Sequence, residues 1–436
     1  MTRPIPPPLD VLPGLPPSLP PLLRAAAGED RVALVGGAVR DLLLHRVHND
    51  PWLGVPDLDL VVEPAAGGGD EATAPAQQLA RRLCRAVGPG GVLYVQEHGA
   101  YGTVELELQL PEGPLLLDLA SARRETYPQP GENPVVRFGR LDDDLARRDF
   151  TINAMALQLG GDGDGDLVDP HAGLADLAAR RLRFLHGASV RDDPTRVVRG
   201  ARYAARLGFE LAPDSLAQIS GTLAAWPWAW RPGDPPAQAP PALATRLRME
   251  LELLLEREAW PRALAALQRW GGLVLLDPAL QADPQWRRRL QRAARLELPL
   301  LPALLAVAAE PLAVAERLQL PHRQHRLLVR FLALRQRLAA LPPEASGGRH
   351  GPGSWTAARW CDLLEEQGAS PEAVALALAA GVGPRRPLLR WWLRWRHQGA
   401  GISAAELIAG EGLRPGPELG RRLRERRRER LEGERT

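Results

Sequence analysis

Lysine is missing from this 436-residue chain, so all 55 of its cationic side chains are arginine. The chain is crowded with Ala, Leu, Gly, Pro and Arg, which coding bias of a GC-rich genome would produce; arginine still differs chemically, because its planar fork grips phosphate at two points. An excess of one charge is lacking as well: 52 acidic residues leave a net charge of +3, which hints at a polyanionic partner and no more. Cysteine is nearly absent. Cys84 and Cys361 are far apart and have no metal-ligand spacing, so a disulfide framework and a zinc site are excluded and two ordinary thiols of a reducing compartment are expected. No long apolar run survives either. The stretch from Ile5 to Leu23 is broken repeatedly by Pro, which excludes a signal-peptide core or a membrane helix and leaves a soluble cytoplasmic protein as the expectation.

Residues 1–28 read as a Pro-rich, partly extended arm. Beyond it, RVALVGG, LDLVVE, VLYVQE, GTVELELQL, PLLLDLA and AMALQL are short β-rich runs ending in turns, with helical stretches between them. GGDGDGD, residues 160–166, lacks the spaced ligands and closing Glu of a calcium loop and reads as a solvated hairpin connection. After Asp192 the strands stop and Leu/Ala/Arg-rich helical patterns run on, interrupted by a Pro/Trp-rich insert, residues 226–241, expected as a surface loop whose Trp residues could pack on the helices beside it. The fold class expected is α+β, a sheet-containing head followed by an all-helical remainder.

Four segments carry chemistry. In VALVGGAVRDLLL a strand runs into Gly36-Gly37 and a helix starts at about Ala38. Bare glycines and free helix N–H groups suit an anion, which Arg40 one turn later can also reach; taken alone, such a turn is far more often only a turn. In PDLDLVVE, Asp57 and Asp59 share one strand face while Leu58 and Leu60 face the core. Paired carboxylates repel unless a cation intervenes, and Mg²⁺ takes carboxylate oxygen while leaving room for phosphates; the plain alternative is a strand edge in water. In RRDFTINAMA, rare residues are concentrated: the chain has three Asn, five Phe and three Met, and one of each falls here. Arg147 and Arg148 can clamp a triphosphate, and Asp149 or Asn153 can bond ribose hydroxyls; a charged helix start over a Phe150 and Ile152 core is the other reading.

In RDDPTRVVRGARYAARLGFEL, Asp193, Pro194 and Gly208 supply a cap, a helix start and a stop. Arg196, Arg199, Arg202 and Arg206 line one face, by default a solvated one. Beginning beside two carboxylates, that face permits more. Asp193 can accept from an exocyclic amine while Arg196 donates to the neighbouring ring nitrogen, a pattern that cytosine and adenine satisfy and uracil and guanine do not. A plain capping role for Asp193 stays open.

In order and content, GGAVRD, DLD, RRDFTINA, DPHAGLADLAARRLRFL and DDPTRVVRGARYAARLGF resemble the tRNA nucleotidyltransferase/poly(A) polymerase family, in its bacterial class within the DNA polymerase beta superfamily. RLRMELELLLE and residues 406–425 extend the resemblance over nearly all of the chain except the arm. It implies a head (29–185), a neck (186–260), and a helical body and tail (261–436) along which the tRNA acceptor stem lies. It also implies a triphosphate on Gly36, Gly37 and Arg40, and metals on Asp57 and Asp59 with Asp118 as a weaker third carboxylate. The nucleotide would lie against Arg147, Arg148, Asp149 and Asn153, and the base would be read by Asp193 and Arg196 with Arg199 and Arg202 in support. The implied activity is template-independent addition of C and A from CTP and ATP to the 3′ end of tRNA. Poly(A) synthesis and CC-only or A-only addition are the alternatives on the same fold.

Three departures from the family pattern stand out. The gap from Arg40 to Asp57 is long, so HRVHNDPWLGVP is expected as an extended loop. Asp192 replaces the usual Glu ahead of the reading helix. Residues 123–146, where members keep a flexible loop used in the switch from C to A addition, are somewhat compact, which leaves the product open between CCA and a part of it.

Overall fold

Alternation in TVELELQL puts Val104, Leu106, Leu108 and Leu110 on one face of a strand, all at most 4% exposed, with Glu105 and Gln109 exposed on the other. A half-buried antiparallel strand is what that pattern specifies, and the sheet around it carries the site. The structure is a computed structural model describing residues 15–51, 54, 58–65, 74–99, 102–160, 165–342, 355–366 and 370–432. Asp57 lies outside these residues.

The strands are β1 (Arg31–Val35), β2 (Leu58–Glu63), β3 (Val92–His98), β4 (Thr103–Leu110), β5 (Gly113–Ser121), β6 (Arg123–Thr126), β7 (Val135–Phe138), β8 (Ala156–Gly160), β9 (Leu167–Val168), β10 (Arg181–Leu182) and β11 (Glu210–Leu211). Seven of them form one mixed sheet in the order β3-β4-β5-β2-β1-β8-β9, with β2 and β5 parallel and the remaining pairs antiparallel. The early helices are α1 (Leu19–Ala27), α2 (Gly37–His48), α3 (Pro75–Val87), α4 (Leu141–Ala146), α5 (Gly173–Ala178), α6 (Ser189–Asp192), α7 (Thr195–Leu207) and α8 (Pro213–Ala225). Helices α1 and α3 cover one face of the sheet through Leu19, Leu23, Leu79 and Leu83, all fully buried. On the other face, Leu141 and Leu145 of α4 pack with Ala33, Val35, Val61 and Ala156.

Contacts group the chain into two compact units, one of Met1–Ala229, Pro240–Ala242 and Glu258–Gly272, the other of Trp230–Ala239, Leu243–Arg257 and Leu273–Thr436. The second is helical throughout its described residues. Its longest described helix is His322–Ala339, which packs on Pro371–Ala380.

The expected strands all form, and several local readings change. The end of the arm is helical, because Pro20 and Pro21 fall in the first turn of α1, where no N–H is required. HRVH continues α2 to His48, and left-handed Asn49 (φ 56°) ends it, so the extended loop is shorter than HRVHNDPWLGVP. Residues 123–138 pair as a β6–β7 hairpin, and one short strand, β11, does follow Asp192, pairing in parallel with β10. Strands β8 and β9 on either side of GGDGDGD pair antiparallel, and residues 161–164 of that segment lie outside the described residues. The Trp-rich insert is exposed over most of residues 231–239, as a surface loop would be, but its rings turn inward. Trp226, Trp228 and Trp230 are 9%, 3% and 5% exposed, and within the first unit Trp228 Nε1 donates to the Arg191 carbonyl at 3.0 Å. Apolar rings outweighed the turn-forming prolines around them.

Candidate active site

Strand β1 delivers the chain to Gly36, whose φ of 73° belongs to the left-handed region that glycine adopts without strain, and α2 begins at the next residue. Space matters as much as conformation here. A Cβ on Gly36 would stand 3.2 Å from Arg148 Nη1 and 3.6 Å from Asp59 Oδ2. The bare turn, the strand carboxylate and the arginine fork therefore meet at one point.

Leu58 and Leu60 are each 1% exposed and Asp59 is exposed, the alternation expected of β2. In the parallel pair with β5, Asp59 sits directly beside Asp118, and Glu105 of β4 faces Asp118 from the far side. Like charges set side by side destabilise a sheet unless something cationic joins them. Among the described residues no group of three or more His, Cys, Asp or Glu side chains is placed to hold a metal ion. Glu105 was missed by the sequence reading, although the alternation of β4 already puts it on this face.

Arg147 and Arg148 follow α4, and one carboxylate takes both. Asp144, with no exposed surface, accepts from Arg147 Nη2 at 2.6 Å through Oδ1 and from Arg148 Nη2 at 2.9 Å through Oδ2. Arg147 Nη1 donates further to Glu125 of β6 at 3.2 Å, and Arg148 Nη1 reaches only the Asn153 carbonyl, at 3.4 Å. Asp144 and Glu125 were also missed. Three consecutive Asp in LDDDLA carry no mark of which one turns inward.

Arg40 is 4% exposed. It donates to both carboxylate oxygens of Asp41, at 2.7 and 3.0 Å, and through Nη1 to Asn153 Oδ1 at 2.9 Å, with its guanidinium lying 5.4 Å from the Tyr203 ring centre. In this arrangement Arg40 is a buried strut behind the turn, and the open fork at Gly36 belongs to Arg148. Asn153 passes the contact on, donating to Asp149 Oδ1 at 3.1 Å, and Asp149 pairs with Arg199 at 3.4 Å. Burial by itself would push the Asp149 carboxyl up. The charge of Arg199, the Asn153 amide, Arg196 and the Phe150 N–H outweigh it and hold the group below the usual carboxylate range. A continuous chain, Asp41–Arg40–Asn153–Asp149–Arg199, buried at its three middle members, thus links the glycine turn to α7.

Asp193 is 3% exposed and caps α7, its Oδ1 accepting from the Thr195 N–H at 3.1 Å and hydroxyl at 2.6 Å. Arg196, equally buried, donates to the Arg147 carbonyl at 2.9 Å, and its other nitrogen lies 3.5 Å from His186 Nε2. Arg202 and Arg206 both pair with Glu258. The arginine stripe is therefore a set of ion pairs and not a bare solvated face. Except for Asp57, every residue singled out from the sequence falls within the first unit.

A mixed sheet with a glycine turn and a strand carboxylate on one open face defines the head of a nucleotidyltransferase, and the Poly A polymerase head domain family matches residues 32–183. Over 319 residues the chain is 39% identical to the CC-adding tRNA nucleotidyltransferase of Deinococcus radiodurans, covering 72% of this chain and 73% of that protein. It is 41% identical over 182 residues to the A-adding tRNA nucleotidyltransferase of Aquifex aeolicus, 42% of this chain and 19% of that one. The structure of the Thermotoga maritima CCA-adding enzyme complexed with tRNA matches at a TM-score of 0.64 and 24% identity, covering 97% of this chain and 94% of the other, a likeness of fold. This chain belongs to the tRNA nucleotidyltransferase/poly(A) polymerase family.

Proposed function

We propose that the protein adds C and A nucleotides from CTP and ATP to the 3′ end of tRNA without a nucleic-acid template. The observation that carries this is the convergence of Gly36, Asp59 and Arg148, which offers a triphosphate a bare turn and a cationic fork beside a carboxylate strand. Arg148 receives the phosphates, Arg147 and Asn153 hold the neighbouring residues in place, and Asp193 with Arg196 selects the base edge. The RNA 3′-hydroxyl attacks the α-phosphorus in line and pyrophosphate leaves. Asp59 and Asp118, set side by side by the parallel register, would hold Mg²⁺ together with Asp57, which lies outside the described residues, and the ion would supply positive charge at the phosphoryl group and lower the pKa of the attacking hydroxyl. The helical residues 261–436 hold the RNA, and residues 186–260 act as the neck. No helix among the described residues is long and apolar enough to cross a membrane.

A CC-only product is the second reading, favoured by the 319-residue match to a CC-adding relative. Incubating the protein with tRNA that lacks its 3′ CCA, with CTP, ATP or both, and sizing the products separates the cases. Extension by three nucleotides only when both are present supports CCA synthesis. Two with CTP and no more with ATP selects the CC reading, a long A tract selects poly(A) synthesis, and no extension overturns the function.

A further inference from the structure

Asp144 has none of the positions at which a reacting group is expected, yet among the described residues it is the one carboxylate that touches both Arg147 and Arg148. It has no exposed surface, and each of its oxygens accepts two guanidinium N–H groups: Oδ1 from Arg147 at 2.6 and 3.0 Å, Oδ2 from Arg148 at 2.9 and 3.2 Å. A buried charge met at four points is fixed in direction as well as place. The two arginines then part company. Arg147 has its remaining nitrogen on Glu125, and its carbonyl receives Arg196. Arg148 is left with Nη1 pointing at Gly36 and only a 3.4 Å contact to the Asn153 carbonyl.

We propose that Asp144 is a positioning residue that aims Arg148 at the Gly36 turn, so that of the two adjacent arginines Arg148 meets the nucleotide's phosphates and Arg147 anchors the reading helix. This rests on the reading of Arg148 as a nucleotide contact. Misplacing such a group by about an ångström costs roughly a hundredfold in efficiency, and ten- to a hundredfold is the range to expect.

The test is steady-state addition of CTP to tRNA lacking its CCA end, with KM for CTP and kcat separated and folding checked by circular dichroism at the assay temperature. Asp144→Asn keeps shape and removes charge; its KM for CTP should rise about tenfold or more. The double variant Asp144→Asn/Arg148→Gln should bind CTP no worse than Arg148→Gln alone, since one acts through the other. If Asp144→Asn fails to fold, Asp144→Glu keeps the charge and shifts it by one methylene, and a raised KM is again expected. A lowered melting temperature with KM for CTP unchanged in these variants makes Asp144 a structural anchor only and overturns the proposal. If Arg148→Gln itself leaves KM for CTP unchanged, the nucleotide-contact reading of Arg148 falls first, a failure distinguishable from the other.

Discussion

Arginine charge is met in two ways in this chain, by carboxylates around the candidate site and by main-chain carbonyls at Arg317. Around the site the partners are Asp144 for Arg147 and Arg148, Asp41 for Arg40, Asp149 for Arg199, and Glu258 for Arg202 and Arg206, and in the second unit buried Arg289 likewise pairs with Asp283 at 2.6 Å. In the second unit Arg317, 2% exposed, donates to three main-chain carbonyls, those of Leu243 at 3.0 Å, Leu275 at 3.0 Å and Leu276 at 2.8 Å, and its guanidinium lies 4.6 Å from the Trp230 ring centre. Burial brings its pKa down to about 10, with Asp277 opposing the shift. A carboxylate holds an arginine by one edge and leaves another for a ligand. Three carbonyls use the whole fork and leave only structure. Lysine, with a point charge and no plane, would do neither job in the same way.

The largest effect should come from the first unit with the least structural damage. Asp59→Ala removes an exposed carboxylate from beside Asp118, so it relieves repulsion and opens no cavity. Nucleotide addition to tRNA should fall on the order of a thousandfold or more if several kcal/mol of transition-state stabilisation depends on it, while the melting temperature holds or rises. Asp57→Ala is expected to behave alike. Substantial Mg²⁺-dependent addition by either variant breaks the metal assignment.

The converse change lies in the second unit. Arg317→Met strands three buried carbonyls and should destabilise the protein by about 3 kcal/mol or more, measured by urea unfolding. Arg317→Lys should recover only part of the loss, because one ammonium cannot repeat the fork. CTP binding per folded molecule should stay as in the wild type. A drop in CTP affinity equal to that of Arg148→Gln would mean that the two arginine systems do not divide in this way.

A smaller effect, on selection, is expected at α7. If Asp193 reads the base edge besides capping the helix, Asp193→Ala should lose roughly ten- to a hundredfold in preference for CTP and ATP over UTP and GTP, together with about 1 kcal/mol of cap stability. Incorporation of all four nucleotides, compared at a temperature where both proteins are folded, decides it. Equal slowing for every nucleotide leaves Asp193 as a cap only.

What could be read from the sequence was whatever periodicity or rarity marked. The period-two runs gave the strands, Gly36-Gly37 gave the turn, and rare Asn153, Phe150 and Met155 made their segment conspicuous in a biased chain. What stayed hidden depended on three-dimensional partnership. Nothing in LDDDLA distinguishes Asp144 from its neighbours, because only the packing of Leu141 and Leu145 decides which Asp turns inward. Glu125 gains its meaning from a hairpin in the segment where the resemblance had implied a flexible loop. The spacing of Arg40 from the turn gave its place beside Gly37, where its Nη2 would stand 3.5 Å from a Cβ, but not its bonds to Asp41 and Asn153.

The smallest expected effect is also the most direct test of the contrast, because carboxylates titrate and carbonyls do not. The Asp149 carboxyl is held below its ordinary 3.8 in the folded protein. A group with a depressed native pKa contributes stability that is fully present above its unfolded value and is lost as pH falls from there through the native value. Acidification below about pH 3.8 should therefore loosen the segment around Phe150 and Asn153 while the segment around Leu275 and Arg317 holds. Arg317 stays protonated in both folded and unfolded chains throughout that range, since even its lowered value is about 10. Brief pepsin digestion across pH 4.5 to 2.5 (values chosen to span the expected window, roughly one unit or less to either side), with cleavage sites mapped by mass spectrometry, follows both segments in one sample. Cuts near Phe150 should appear at a higher pH than cuts near Leu275. Simultaneous loss, or loss near Leu275 first, would mean that carboxylate pairing does not set the acid sensitivity of the head, and the contrast between the two arginine systems would fail at its physical root.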